Sequence, residues 1–170
     1  MSDRILLNTA FNDNHVIEVG YKISDTISQY LTEHFSLKKA VFIVDENIDK
    51  LYENTFLKDI ESIFDGIVKC VVPQGEQSKS IHHYSSFIDT ILQSRVERLT
   101  PVIVIGGGVT GDLGGFVAAS CLRGMPLIQI PTSLLAMVDS SIGGKTGINH
   151  DVGKNLIGAF YHPKAVFTDL

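Results

Sequence analysis

Two uninterrupted apolar runs, Ala40-Val41-Phe42-Ile43-Val44 and Val102-Ile103-Val104-Ile105, constrain this chain more than any other feature. A strand with one wet face alternates apolar and polar residues. A short run without alternation needs cover on both faces, which is the condition of a strand inside a parallel sheet wrapped by helices. Ile67-Val68-Lys69-Cys70-Val71-Val72 repeats the pattern and is stopped by Pro73, residues 127–130 form a further strand closed by Pro131, and residues 165–168 supply the last. The first run ends in Asp45-Glu46-Asn47, which places those polar groups at the carboxyl edge of the sheet.

Helical patterns separate the runs. Tyr21, Ile23, Ile27, Tyr30, Leu31 and His34 recur at helical spacing and predict a helix over about 21–35. Ser80 caps a second helix carrying Ile81, Tyr84, Ile88, Ile91 and Leu92, and residues 113–122 read as a third. Ahead of all of these, residues 4–8 and 16–19 read as a strand pair joined by the turn-prone Asn12-Asp13-Asn14. Strand and helix in alternation predict a Rossmann-like, doubly wound α/β domain over 1–170 with a mainly parallel sheet.

With 170 residues, 44% hydrophobic and 19% charged, the chain has the size and composition of one domain with a core of its own. Fourteen Lys and Arg against nineteen Asp and Glu give a net charge of −5, which provides no global field for nucleic acid or an anionic membrane. Any anionic ligand must be held locally. Cys70 and Cys121 sit in apolar contexts as buried thiols would, and no apolar run approaches the roughly 18 residues of a membrane span. A cytoplasmic setting is the expectation, and the abrupt end after the last strand reads as a piece of a longer chain.

Twelve of the fifteen glycines lie between Gly106 and Gly158, which places the chemistry there. Gly106-Gly107-Gly108-Val109-Thr110-Gly111-Asp112 follows a strand and precedes a helix, a setting in which backbone N–H groups hold a pyrophosphate. The usual acidic residue some 20 positions on is missing, because the next strand ends Gln129-Ile130-Pro131-Thr132; Asp45, with Asn47 beside it, offers the ribose a carboxylate from a different strand end. The alternative is a glycine turn serving helix packing alone. Gly144-Lys145-Thr146 resembles the end of a P-loop, but the position that needs glycine holds Asp139, whose charge would repel phosphate.

That leaves a glycine loop with Lys145 near Asp139, and a second, Gly153-Lys154-Asn155, so two ammonium groups are available to a phosphate or carboxylate. Thr132 and Ser133 belong to the same polar stretch. Gln74-Gly75-Glu76-Gln77-Ser78-Lys79 follows a strand end; either Glu76 and Lys79 are solvated turn residues, or their side chains lie over the crevice where strand ends gather. The six histidines form no ligand cluster by spacing, so no metal is assigned within the chain.

These segments, with Pro131-Thr132-Ser133-Leu134-Leu135-Ala136-Met137-Val138-Asp139 running on through His150 and Gly153-Lys154-Asn155-Leu156-Ile157-Gly158-Ala159-Phe160-Tyr161, resemble the 3-dehydroquinate synthases of the shikimate pathway, among the sugar phosphate cyclases. The resemblance implies the N-terminal, cofactor-binding half of an enzyme about twice as long, lacking the helical C-terminal domain. It implies an NAD-dependent lyase of aromatic amino acid biosynthesis that converts 3-deoxy-D-arabino-heptulosonate 7-phosphate to 3-dehydroquinate and phosphate. Zinc or cobalt would be held by a glutamate and two histidines of the other half, and the full-length form would be a homodimer.

Carried over, Asp45 and Asn47 would meet the adenosine end of NAD, with Glu76 and Lys79 along the cofactor. Gly107, Gly108, Val109 and Asp112 would line its pyrophosphate and nicotinamide ribose, and Thr132 and Ser133 would complete the site. Asp139, Lys145, Lys154 and Asn155 would be the catalytic residues facing substrate, the two lysines also near NAD. Another sugar phosphate cyclase, or a polyol dehydrogenase of the glycerol dehydrogenase type, which carries a similar triple-glycine turn, stands as the alternative, and alone this half would be inactive.

Overall fold

The computed structural model describes residues 3–8, 14–52 and 56–170. The elements run β1 (Asp3–Asn8), β2 (Asn14–Gly20), α1 (Ser24–His34), β3 (Ala40–Asp45), α2 (Glu46–Tyr52), α3 (Phe56–Glu61), β4 (Ile67–Val72), α4 (Ile81–Gln93), β5 (Val102–Gly106), α5 (Gly108–Ser120), β6 (Leu127–Pro131), β7 (Lys145–His150), β8 (Gly153–Phe160) and β9 (Ala165–Asp169). Seven strands form one sheet in the order β1-β2-β9-β6-β5-β3-β4, with every pair parallel except β1 against β2. The strand pair at the N-terminus is therefore present. Of its expected turn, Asn12 and Asp13 lie outside the described residues and Asn14 already belongs to β2.

The apolar runs are buried for the reason their composition gives. Successive side chains of a strand point to opposite faces, so Phe42, Val44, Ile103 and Ile105 meet Ile27 and Leu31 of α1 and Leu57 and Ile60 of α3 on one face. Val41, Ile43, Val102 and Val104 meet Phe87 and Ile91 of α4 and Leu113 and Val117 of α5 on the other. All of these but Phe87 are fully buried, each contributing about 1.5–3 kcal/mol by leaving water.

Several expectations change. β4 is an edge strand whose burial alternates: Val68, Cys70 and Val72 face the core, while Lys69 turns outward to Asp49 (3.0 Å) and Glu61 (2.6 Å). An edge position leaves one face half open, so its apolar pattern did not mean double cover. Tyr21 precedes α1 and is exposed. On α4 the buried residues are Phe87 and Ile91, whereas Ile81 and Leu92 are exposed; Ser80 caps it as expected, its Oγ accepting the His83 N–H at 3.4 Å. Most consequentially, α5 starts at Gly108 and not at 113, so the three glycines run from the end of β5 through the N-cap into its first turn, and the glycine-rich segments carrying Lys145 and Lys154 are the strands of an antiparallel hairpin. Gly147 and Gly158 stand opposite each other in it, and a Cβ on Gly147 would lie 2.6 Å from Ile157 O. The strands meet too closely there for side chains, which is why a glycine-rich sequence forms them.

The chain passes from β3 outward to β4, then returns to β5 on the other side of β3. At such a reversal the loops leaving two adjacent strands diverge to opposite sides, opening a crevice at their carboxyl ends. Here it lies between Asp45 and Gly106, one step beyond the paired Val44 and Ile105.

Candidate functional site

β5 hands over to α5 through Gly107, which is the N-cap, extended (φ −80°, ψ −170°) and without a side-chain cap. The first amides of this thirteen-residue helix are therefore left to meet a ligand at the carboxyl edge, where the helix dipole favours an anion. The turn is also crowded: a Cβ on Gly107 would stand 3.4 Å from Ser133 Oγ, and one on Gly108 3.4 Å from Ser140 Oγ. Glycine thus keeps a cradle open between the backbone and two hydroxyls. Val109 packs its side chain against the core, and the Thr132 N–H donates to Gly106 O at 2.9 Å.

Beside the turn runs a chain of polar contacts. Lys79 is 4% exposed, so the solvated reading of that residue is wrong; its Nζ donates to Asp112 Oδ2 on α5 and to Asn155 Oδ1 on β8. A buried ammonium needs such partners, because an unpaired charge in the interior is costly. The Lys79 carbonyl accepts the Asn149 N–H at 2.8 Å, Asn149 Nδ2 donates to Glu76 Oε1 at 2.8 Å, and Asn149 Oδ1 accepts the Asn155 N–H at 2.9 Å. Asn155 itself is left-handed, at φ +57°. Burial pushes the Asp112 carboxyl above its ordinary range; the Lys79 ammonium opposes the rise, and the charges of Glu76 and Asp139 add to it.

Asp112, Asp139, Ser140, Lys145, Thr146 and Asn155 line a cleft of about 510 Å³ between α5, the hairpin and the 136–140 turn. Two carboxylates, an ammonium, hydroxyls and an amide around one space suit a polar, hydroxylated ligand, with Lys145 as a cationic contact. Four residues predicted from the sequence, Asp112, Asp139, Lys145 and Asn155, meet here. Lys154 is exposed and outside the cleft lining, its Nζ 4.0 Å from Glu76 Oε1 in a pair of little energetic weight.

Asp45 and Asn47 lie at the β3 end, outside the cleft lining. Asp45 Oδ1 accepts the Asn47 N–H (2.9 Å) and the Ile48 N–H (3.4 Å), and Asn47 Oδ1 accepts from Gln74 Nε2. Thr132 lines a smaller cavity, about 290 Å³, under Ile105 and Ile130. Sequence reasoning missed Asn149, Ser140 and Thr146 as site residues. Their one available signal was membership of the same glycine-rich stretch. Among the described residues no three His, Cys, Asp or Glu side chains gather to hold a metal ion. A cavity of about 420 Å³ at the opposite, amino edge, near Lys38, Lys39 and Arg95, contains none of the predicted residues.

Residues 69–170 match the family described as 3-dehydroquinate synthase N-terminal. A 3-dehydroquinate synthase of Pseudoalteromonas atlantica is 49% identical over 144 residues, covering 85% of this chain and 40% of its own length. Among solved structures, 2-epi-5-epi-valiolone synthase from Streptomyces hygroscopicus, with NAD+ and Zn2+ bound, aligns at a TM-score of 0.79 with 26% identity over 90% of this chain and 42% of that one. A 2-deoxy-scyllo-inosose synthase complexed with carbaglucose-6-phosphate, NAD+ and Co2+ shares the fold at a TM-score of 0.86, with 24% identity over 99% and 46% of the two chains. The chain spans less than half the length of the curated relatives it matches.

Proposed function

The chain belongs to the 3-dehydroquinate synthase family, and from that membership we propose that it is the NAD-binding half of such an enzyme, turning 3-deoxy-D-arabino-heptulosonate 7-phosphate into 3-dehydroquinate and phosphate. The observation that carries the reading is the uncapped, glycine-held start of α5 at the sheet's switch point, opening onto a cleft that contains Lys145. A pyrophosphate would be held in the cradle between Gly107, Gly108 and the Ser133 and Ser140 hydroxyls, where the backbone N–H groups at the helix start and the two hydroxyls can donate to it. Asp45 and Asn47 would take the adenosine ribose, and Thr132, Val109, Glu76, Lys79 and Lys154 would flank the cofactor.

When bound, NAD supplies a hydride acceptor that is restored by the end of the cycle. The chain's own residues supply position and charge. Lys145 presents a point charge toward an anionic leaving group, which matters most as charge develops there. Asp139, on the same cleft, is placed to accept a hydroxyl proton or bond, and Asn155 offers its amide, with Lys79 holding its Oδ1. Among the described residues no cluster of side chains gathers to hold a metal ion; the zinc or cobalt of the extended enzyme would be held by a glutamate and two histidines in the remainder of the relatives' length.

The test is stoichiometric, made on the enzyme extended to the relatives' length. Phosphate release from the heptulosonate phosphate without net NADH supports the reading. Net NADH from a polyol without phosphate release overturns it in favour of a dehydrogenase. The 170-residue chain alone is expected to yield no dehydroquinate.

A further inference from the structure

Building on the reading of this cleft as a nucleotide and substrate site, we infer that Asn149 is the positioning residue that ties the strap carrying Glu76 and Lys79 to the hairpin and holds Asn155 in its left-handed conformation. Asn149 commits both ends of its side chain and its backbone to three partners: Glu76 Oε1 (2.8 Å), the Asn155 N–H (2.9 Å) and Lys79 O (2.8 Å). These partners come from different parts of the sequence, the strap being 73 residues away by the Glu76 contact. The strap's regular structure is one short 3-10 turn, Glu76–Ser78, and its other anchors are side chains: Ser78 Oγ donates to Pro73 O at 2.6 Å and Lys79 Nζ to Asp112 Oδ2. Asn155 then returns the connection, its Oδ1 accepting from Lys79 Nζ.

Only a primary amide fits this geometry. The Glu76 carboxylate needs a donor and the Asn155 N–H needs an acceptor, and asparagine offers one of each in a fixed plane. An aspartate of the same shape would set a second carboxylate against Glu76, and two carboxylates in hydrogen-bond contact cannot both ionise. Uptake of one proton restores a donor between them. The lesion from Asn149→Asp should therefore heal in acid, whereas that from Asn149→Ala should not. Around this position lie Glu76 and Lys79 of the strap, Asp112 of α5, Lys154 of β8, and His150, whose Nδ1 accepts the Val152 N–H at 3.3 Å. Parent and Asn149→Ala carry these same groups without the introduced carboxyl, so a recovery in acid seen in Asn149→Asp alone belongs to the carboxyl pair it forms with Glu76.

The experiment reads the Asn155 backbone coupling constant and amide protection by NMR in the 170-residue chain, with NAD affinity measured alongside. In Asn149→Asp, Asn155 should leave the left-handed region at pH 8 with at least a tenfold loss of amide protection, and recover at pH 5. Asn149→Ala should show the loss at both pH values. Parent-like Asn155 signals in both variants overturn the inference, as does equal loss in Asn149→Asp at both pH values. If neither variant folds, the parent still decides: the Asn149 side-chain amide protons should exchange at least tenfold more slowly than those of exposed Asn47, and equal exchange refutes the role. NAD affinity separates the two readings. A parent that binds no NAD while Asn155 follows the pH pattern sinks the functional proposal and supports the positioning role.

Discussion

Replacing Gly115 by alanine tests how closely the site's hairpin must approach α5. A Cβ at this position would stand 2.5 Å from Thr146 Cγ2 and 3.2 Å from Thr146 Cβ, whereas carbon atoms in contact prefer about 3.5–4.0 Å. The methyl cannot simply swing aside, because Oγ1 of the same β-branched side chain donates to Ala159 O at 2.8 Å. Either the hairpin retreats by about 1 Å, or Thr146 changes rotamer and loses a bond of net worth about 1 kcal/mol. Overpacking of this kind costs about 1–3 kcal/mol, and a contact as short as 2.5 Å belongs in the upper part of that range, about 2–3 kcal/mol, against a gain of about 1 kcal/mol from removing a glycine within a helix. The expected balance is about 1–2 kcal/mol less stability, which in a chain of this size lowers Tm by about 2–8 °C. Thermal unfolding followed by circular dichroism gives the sign. Adding Thr146→Ser, which deletes Cγ2 and keeps the hydroxyl, should restore most of the loss as a coupled pair. An alanine variant as stable as the parent, or a double variant no better than the single one, would refute the argument.

Burial pushes the Cys70 thiol up to about 11 and raises Cys121 as well, so neither should react with a thiol reagent at pH 8 until urea unfolds the chain; rapid labelling of the native protein contradicts this. Because the Asp112 carboxyl is raised by burial, the stability it contributes is full below the unfolded value of about 3.9 and is lost as pH rises through the folded one. Urea midpoints from about pH 4 toward neutrality should accordingly fall more steeply in the parent than in Asp112→Asn, whatever constant offset the lost Lys79 contact adds; the opposite difference in slope refutes the assignment. In the enzyme extended to its relatives' length, Lys145→Ala should reduce phosphate release by at least tenfold while changing NAD affinity by less than threefold; equal losses would assign that lysine to the cofactor.

The sheet was legible where residues 40–44 and 102–105 ran apolar without interruption, because nothing but cover on both faces accommodates such strands. β4 misled because edge position is a property of topology, and Val71 and Ile67 look the same in a sequence whether or not a neighbour covers them. The hairpin escaped notice because Gly147 and Gly158 oppose strand propensity; they are there for close backbone contact across the pair, a reason visible only once the pair exists. The start of α5 was read five residues late for a related cause. Gly108 and Gly111 are poor helix formers in isolation, yet they occupy its first turn, where the chain must leave room beside Ser140 and Gln129. As for the site, Asp139, Lys145 and Asn155 stood out as charge and amide within a glycine-rich stretch, whereas Lys79 and Asn149 draw their roles from partners more than 30 residues away along the chain.

A crystal structure of the chain soaked in NAD tests the central claim most directly. The account predicts the pyrophosphate against the Gly107 and Gly108 turn at the start of α5, with the adenosine toward Asp45 and the nicotinamide toward the cleft of Asp112 and Lys145. Density instead in the cavity at the amino edge of the sheet, beside Lys38, Lys39 and Arg95, would contradict it.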